Sequence, residues 1–331
     1  MTGMIVRNEA VCLNNRYKKM DCHRCRQICP QGCSDQIQGL DLAKCDECGL
    51  CLAVCPAEAI AGVSYSPLSI NASLSSTDSM LYLTCTRQDR QSDWPCLGFI
   101  DTYLLLAFVY SGSNSNRQVI VDNRHCFTCK PKVARYLQEL CNSLEPVLKY
   151  VEKKPLLKGK AAGEYKRKEQ VISRRDLIKC LFGEAKKVIA EAVQSNEHLM
   201  PLPRRQIFAN YVENSAFTGM APTRLFSAIT ISDSCHACGL CGQLCPNQAI
   251  VVKKQQSVLE FYQLAYKCTS CGVCAINCPR QAIIVTLAES LEMTHIATRT
   301  LPQCKKCGNL YQPVGDSELC FDCFLEANRG F

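Results

Sequence analysis

Two runs of cysteines constrain this chain more than any other feature. Cys235-His-Ala-Cys238-Gly-Leu-Cys241-Gly-Gln-Leu-Cys245-Pro246 and Cys268-Thr-Ser-Cys271-Gly-Val-Cys274-Ala-Ile-Asn-Cys278-Pro279 share the pattern C-x2-C-x2-C-x3-C-P and start 33 residues apart. Two residues between cysteines let a tight turn wrap three sulfurs round one centre. Gly239, Gly242 and Gly272 give the backbone freedom to make that turn. Pro246 and Pro279 stop the loop from folding back and commit the fourth sulfur to the neighbouring centre. The chain has 27 cysteines in 331 residues. Disulfide frameworks of that density belong to small secreted chains, but Met1 to Arg7 shows no apolar export stretch. The cysteines read as metal ligands in a reducing compartment, and the expected location is cytoplasmic.

Such runs are the signature of bacterial 2[4Fe–4S] ferredoxins, which residues 235–285 resemble. In that pattern the last cysteine of each run ligates the other cluster. The resemblance implies one [4Fe–4S] cluster on Cys235, Cys238, Cys241 and Cys278 and another on Cys268, Cys271, Cys274 and Cys245. Short strands at Ile250–Val252 and Ile283–Val285 are expected to cover them with aliphatic side chains. So small a module cannot bury a sufficient core alone, so metal binding must contribute folding free energy. Zinc sites would need neither the third cysteine of each run nor the CP ending.

The pattern repeats near the start of the chain. Cys45-Asp-Glu-Cys48-Gly-Leu-Cys51-Leu-Ala-Val-Cys55-Pro56 is complete and is followed by Ala57-Glu-Ala-Ile60, the same tail as in the second module. The run before it, Cys22-His-Arg-Cys25-Arg-Gln-Ile-Cys29-Pro30, lacks one ligand, because Lys19 stands where a cysteine is due. Cys12 across an inserted loop, or Cys33 at the alanine position after the CP, could replace it. Cys12 is favoured, since that alanine position points into the core. The expected sets are Cys12, Cys22, Cys25 and Cys55, then Cys45, Cys48, Cys51 and Cys29. A three-iron cluster at the irregular site is the alternative. Residues 12–60 thus resemble a second ferredoxin domain. The layout is similar to the multi-cluster iron–sulfur proteins that accompany anaerobic oxidoreductases such as molybdopterin enzymes and hydrogenases. That resemblance implies electron transfer and a catalytic oxidoreductase partner, a soluble ferredoxin, or both.

Between the modules, residues 78–152 alternate strand-like and helix-like patterns. Met80–Thr84 and Gln118–Asp122 read as strands, Ile100–Tyr110 as a buried helix, and Lys132–Val151 as an amphipathic helix, a small α/β domain. Cys85, Cys96, Cys126 and Cys129 fall at strand ends or in the loops beyond them, where open α/β sheets collect ligands. Cys96-Leu-Gly98 with Cys126-x2-Cys129 resembles the small iron–sulfur subunit of hydrogenase and heterodisulfide reductase complexes. A [2Fe–2S] cluster, a zinc site and free thiols are the open readings. Cys141 and Cys180 fit core positions. Residues 153–225 read as a charged helical linker in which Ser173 and Asp176 cap a helix. Cys304-Lys-Lys-Cys307 and Cys320-Phe-Asp-Cys323, in residues 300–328, form a zinc-ribbon pattern.

The expected fold is α+β: ferredoxin-like modules at 1–66 and 226–292 flank the α/β domain and linker, and the ribbon closes the chain. The expected cofactors are four [4Fe–4S] clusters, one zinc and the open middle site. The 38 Lys and Arg against 30 Asp and Glu give +8. Each cysteinate-bound cubane carries about −2, so the basic balance compensates clusters and is not a nucleic-acid surface. The longest apolar run, Tyr103–Tyr110, is too short to span a membrane. No phosphate loop, dinucleotide fingerprint or hydrolytic triad is present. The leading function is electron relay. A redox enzyme using the Cys85–Cys129 domain and a regulatory or scaffold protein are the alternatives.

Overall fold

The computed structural model describes residues 5–33, 41–62, 64–65, 67–76, 78–111, 118–148, 156–157, 204–214, 226–288, 291–313 and 317–328. Ser173, Asp176, Cys180 and most of the expected linker lie outside them.

The first module is bracketed by its own ends. Strand β1 (Ile5–Arg7) precedes helices α1 (Leu13–Arg16), α2 (Arg24–Ile28) and α3 (Leu50–Val54). Strand β2 (Ile60–Gly62) then returns antiparallel to β1, with Val6 opposite Ala61. Helix α4 (Pro67–Ser75) leads into the middle domain. There β3 (Met80–Leu83), α5 (Thr102–Tyr110), β4 (Gln118–Val121), α6 (Cys126–Cys129), α7 (Pro131–Leu148) and β5 (Leu156–Leu157) follow in order. The three strands form a parallel sheet in the order β3-β4-β5. The sheet thus continues past residue 152, into the segment read from sequence as linker.

Helix α5 is apolar on all sides because it lies in the core: Leu104 to Val109 are all buried. Asp101 caps it, accepting from the Leu104 amide at 2.8 Å. On α7 the residues Val133, Leu137, Leu140 and Leu144 face inward, as the helical period expects, and Cys141 is buried among them.

Helix α8 (Arg204–Asn214) packs on α5. The second module opens with β6 (Ser227–Ile231) and α9 (Leu240–Leu244), continues through β7 (Ile250–Gln255), β8 (Val258–Leu264) and α10 (Val273–Ile276), and ends with β9 (Ile283–Leu287) and β10 (Met293–Thr300). Strands β6 and β9 pair antiparallel, repeating the end-to-end closure of the first module. Strands β7, β8 and β10 make a separate antiparallel sheet in the order β10-β8-β7. The expected strand at 250–252 is therefore one arm of a longer hairpin. On β9, Ile283 is buried while Ile284 and Leu287 face outward. Helix α11 (Phe321–Asn328) ends the described chain.

One apolar core joins the first module to the middle domain, with Leu50, Ile60 and Tyr65 against Phe99, Leu104 and Phe108. Gly98 makes that junction. A Cβ there would lie 2.2 Å from the Cys48 carbonyl oxygen, so only glycine lets the two backbones meet. Gly98→Ala is expected to cost about 1–3 kcal/mol through forced displacement, read as a lowered denaturation midpoint under anaerobic conditions. An unchanged midpoint would show that the junction yields freely.

Candidate metal centres

The three regular cysteine runs share one backbone path. Gly49, Gly239 and Gly272 are left-handed, with φ of +79°, +68° and +80°, and they start α3, α9 and α10. Glu47, Ala237 and Ser270, each just before the second cysteine, are also left-handed. So are Glu58, Gln248 and Gln281 in the turns after each CP. A non-glycine residue held there costs about 1–3 kcal/mol, and the gain is inward-pointing amides. Ala59 donates to Cys55 Sγ at 3.2 Å, Ala249 to Cys245 Sγ at 3.2 Å and Ala282 to Cys278 Sγ at 3.3 Å. The amides of Leu50, Ala237 and Ser270 likewise reach Cys48, Cys235 and Cys268. Donors aimed at sulfur favour thiolate and moderate the charge of any cluster it binds.

In the second module these loops line two pockets. One is lined by Cys235, Cys238, Cys241, Cys274 and Cys278, with Ile231, Phe261 and Pro279 as apolar wall. The other is lined by Cys245, Cys268, Cys271 and Cys274. Each therefore brings together cysteines of both runs. Burial, then the neighbouring thiolates of each set, pushes Cys241 and Cys274 up to about 12. Such thiols stay neutral unless a cation offsets them, as a metal core would.

The first module groups its cysteines in the same crossed way. Burial raises the Cys25 thiol, and the charges of Cys55, Cys22 and Cys12 raise it further. Cys51 is raised well above its ordinary value by burial and then by Cys48, Cys45, Cys29 and Cys25. Cys12 thus stands with the irregular run. Cys33 does not: its amide donates to Cys29 Sγ at 3.3 Å, the bond made by alanine in the other three turns, and its thiol faces Cys29 and Cys45. In the irregular run α2 replaces the left-handed turn, and Asn14 ties the inserted loop down. Its side chain accepts from the Cys22 amide at 2.6 Å and donates to the Cys22 carbonyl at 2.9 Å. No sequence pattern pointed to Asn14.

The 4Fe-4S dicluster domain family matches residues 234–283, and the 4Fe-4S binding domain family matches residues 40–61. These two stretches make the chain an iron–sulfur protein with ferredoxin-type domains. It is 42% identical over 46 residues to the pyruvate synthase subunit PorD of Methanothermobacter marburgensis. That match covers 14% of this chain and 57% of the relative, so the chain spans little more than half the relative's length.

Two further cysteine sets adjoin different modules of this iron–sulfur protein. Cys85, Cys96, Cys126 and Cys129 gather beyond the carboxyl ends of β3 and β4. Burial pushes Cys126 up to about 12, with Cys96, Cys85 and Cys129 adding to it. The amides of Gly98 and Leu97 point at the Cys96 sulfur. Lys130, a residue the sequence did not single out, is only 10% exposed and pairs with Asp46 at 3.3 Å. Its ammonium moderates both Cys48 and Cys96, so the middle set adjoins the first module's second set. In the other set, Cys304, Cys307, Cys320 and Cys323 have all four sulfurs within 4.8 Å. Amides of Cys307, Cys320 and Lys306 hold the Cys304 thiol at about 6. Gln312 donates to the Cys238 carbonyl at 2.7 Å, joining this site to the second module.

The two ferredoxin modules meet through residues that the sequence did not reveal. Tyr17 donates to the Leu244 carbonyl at 2.7 Å and packs with Leu13, Ala57 and Val273, against which Cys22 and Cys271 also lie. Arg24 donates to the Ser270 carbonyl at 2.8 Å. Arg205 donates to the Cys55 carbonyl at 3.0 Å and to Asn247 at 3.2 Å, and stacks over Tyr103, whose hydroxyl donates to the Cys268 carbonyl at 3.0 Å. Beside it Arg204 is 1% exposed. It pairs with Asp101 at 3.3 Å and Glu58 at 3.9 Å and donates to the Phe99 carbonyl at 3.4 Å. Burial raises the Glu58 carboxyl while the two arginines oppose that rise. Adjacent arginines just after Pro203 were the one available signal. No helix among the described residues is long and apolar enough to cross a membrane.

Proposed function

We propose that this protein relays single electrons along a row of centres. In order, these are the Cys235/Cys238/Cys241/Cys278, Cys245/Cys268/Cys271/Cys274, Cys12/Cys22/Cys25/Cys55 and Cys29/Cys45/Cys48/Cys51 sets, each holding a [4Fe–4S] cluster, and last the Cys85/Cys96/Cys126/Cys129 set. The observation that carries this reading is adjacency. Cys274 lines both second-module pockets, Cys22 and Cys271 share one apolar cluster, Cys25 adjoins Cys51, and Cys96 adjoins Cys48. When bound, the clusters supply one-electron exchange without making or breaking substrate bonds. The chain's own residues hold the sets at fixed separations, exclude water and aim amides at the sulfurs.

A single tetrahedral zinc, with bonds of about 2.3 Å, holds its sulfurs within about 4 Å of one another. Among the described residues only the Cys304/Cys307/Cys320/Cys323 set comes near that span, with its sulfurs within 4.8 Å of one another, and we assign zinc there. No three of the middle-domain sulfurs lie within 4.8 Å of one another, which argues against a single zinc there. The cysteines of that domain come as two pairs, Cys85 with Cys96 and Cys126 with Cys129, without the three-cysteine loop or CP ending of the cubane runs. Two pairs suit the two irons of [2Fe–2S]. The expected partner is a catalytic oxidoreductase, in line with the relative named as a pyruvate synthase subunit, or a soluble ferredoxin. The expected location is the reducing cytoplasm.

Anaerobic metal analysis with an EPR redox titration tests the reading. About 18 Fe and one Zn per chain are expected, with all the iron centres reducible at low potential. Clusters that no low-potential donor reduces would sink the electron-transfer role. One zinc in place of two irons in the middle domain would overturn the [2Fe–2S] assignment.

A further inference from the structure

Among the described cysteines only Cys129 and Cys307 are exposed. Cys307 belongs to the compact set assigned to zinc, which has no redox chemistry. Cys129 is therefore the one exposed cysteine on the proposed relay. The other three members of its set, Cys85, Cys96 and Cys126, are buried. The Arg87 guanidinium donates to Cys129 Sγ at 3.2 Å, and Arg87 itself is exposed. Arg87 and Arg90 lie in the loop that leaves Cys85, which folds back so that the Gln88 and Asp89 amides donate to the Cys85 carbonyl. Two residues before Cys129, Phe127 is 49% exposed. The acidic groups nearby are partly engaged. Asp122 is buried against Arg124 at 2.7 Å, and Asp89 accepts from the Gln91 amide at 2.9 Å, while Asp93 is exposed. The exposed cysteine thus has one arginine on its sulfur, a second exposed arginine in the same loop and one large exposed apolar side chain two residues away, the composition of a transient docking surface for an anionic protein.

We propose that the patch of Arg87, Arg90, Phe127 and Cys129 is the port at which the relay exchanges electrons with an acidic, small iron–sulfur carrier protein. The proposal rests on the relay reading above and names its partner class. In each encounter one electron leaves the reduced carrier and one enters the centre behind Cys129. No proton or group moves, and the reverse reaction uses the same contact. Opposite charge steers the encounter, so the rate falls as salt screens it.

The test is stopped-flow reduction of the anaerobic holoprotein by a purified, dithionite-reduced acidic 2[4Fe–4S] ferredoxin. Arg90→Glu and Phe127→Ala are expected to lower the second-order rate by about tenfold or more at low salt, with metal content unchanged. Arg90→Glu should also flatten the salt dependence. Lys254→Glu, at an exposed position on β7, should match the wild type. Equal rates and equal salt slopes for Arg90→Glu and wild type would overturn the port, as would a slowing confined to Lys254→Glu. Failure of the relay itself looks different: wild-type clusters would then resist reduction even by excess dithionite.

Discussion

Arg204→Met is expected to destabilise the protein by about 3–5 kcal/mol, the usual cost of removing one partner from a buried ion pair. The side chain is 1% exposed, with two carboxylates and a carbonyl arranged round it. Its removal leaves Asp101 and Glu58 buried without their cation. Glu58 sits in the turn after Cys55, and Asp101 caps α5, so the damage falls where the first module, the middle domain and α8 meet. Anaerobic urea unfolding of the holoprotein measures it. A double variant that also carries Asp101→Asn should recover part of the loss, because one uncompensated charge is gone. A loss below about 1 kcal/mol would show that water reaches the network and that Arg204 acts as a surface residue.

Cys12→Ser is expected to strip about four of the roughly 18 irons, or to leave a three-iron centre, with the loss of one EPR signal. Cys33→Ser is expected to keep all of them, since the Cys33 thiol belongs with Cys29 and Cys45 and its amide bond to Cys29 survives the change. The reverse pattern would exchange their roles. Cys12 also precedes the short helix α1, whose Leu13 packs with Tyr17 against Val273 of the other module. Loss of the centre at Cys12 therefore loosens the joint between modules, and thermal unfolding under argon should show a lowered first transition.

What the sequence made legible follows from how each element is specified. A C-x2-C-x2-C-x3-C-P run carries its turn chemistry locally, so the tight turns at Gly239 and Gly272 could be read from the residues. The α/β domain was legible because α5 and α7 differ so plainly in pattern, apolar throughout against apolar on one face. Strands β1 and β6 were not, because three to five residues before the first cysteine show no decisive period, and their pairing with β2 and β9 is made at long range. The hairpin of β7 and β8 was hidden by the charged residues Lys253, Lys254 and Glu260, which interrupt its apolar pattern. Lys130 and Arg204 were harder to read for a deeper reason. Each is a largely covered charged residue whose partners lie far along the chain, and hydropathy assigns such residues to the surface.

The bond from Tyr17 to Leu244 spans 227 residues. At a synthesis rate of about 5–20 residues per second, roughly 10–45 s pass between the emergence of its two ends. Through that interval the nascent first module has no second module to cover Cys22 or the loop round Tyr17. Docking of the second module then brings Leu244 and Val273 against that loop, so the joint between the modules is made only once most of the chain has been synthesised.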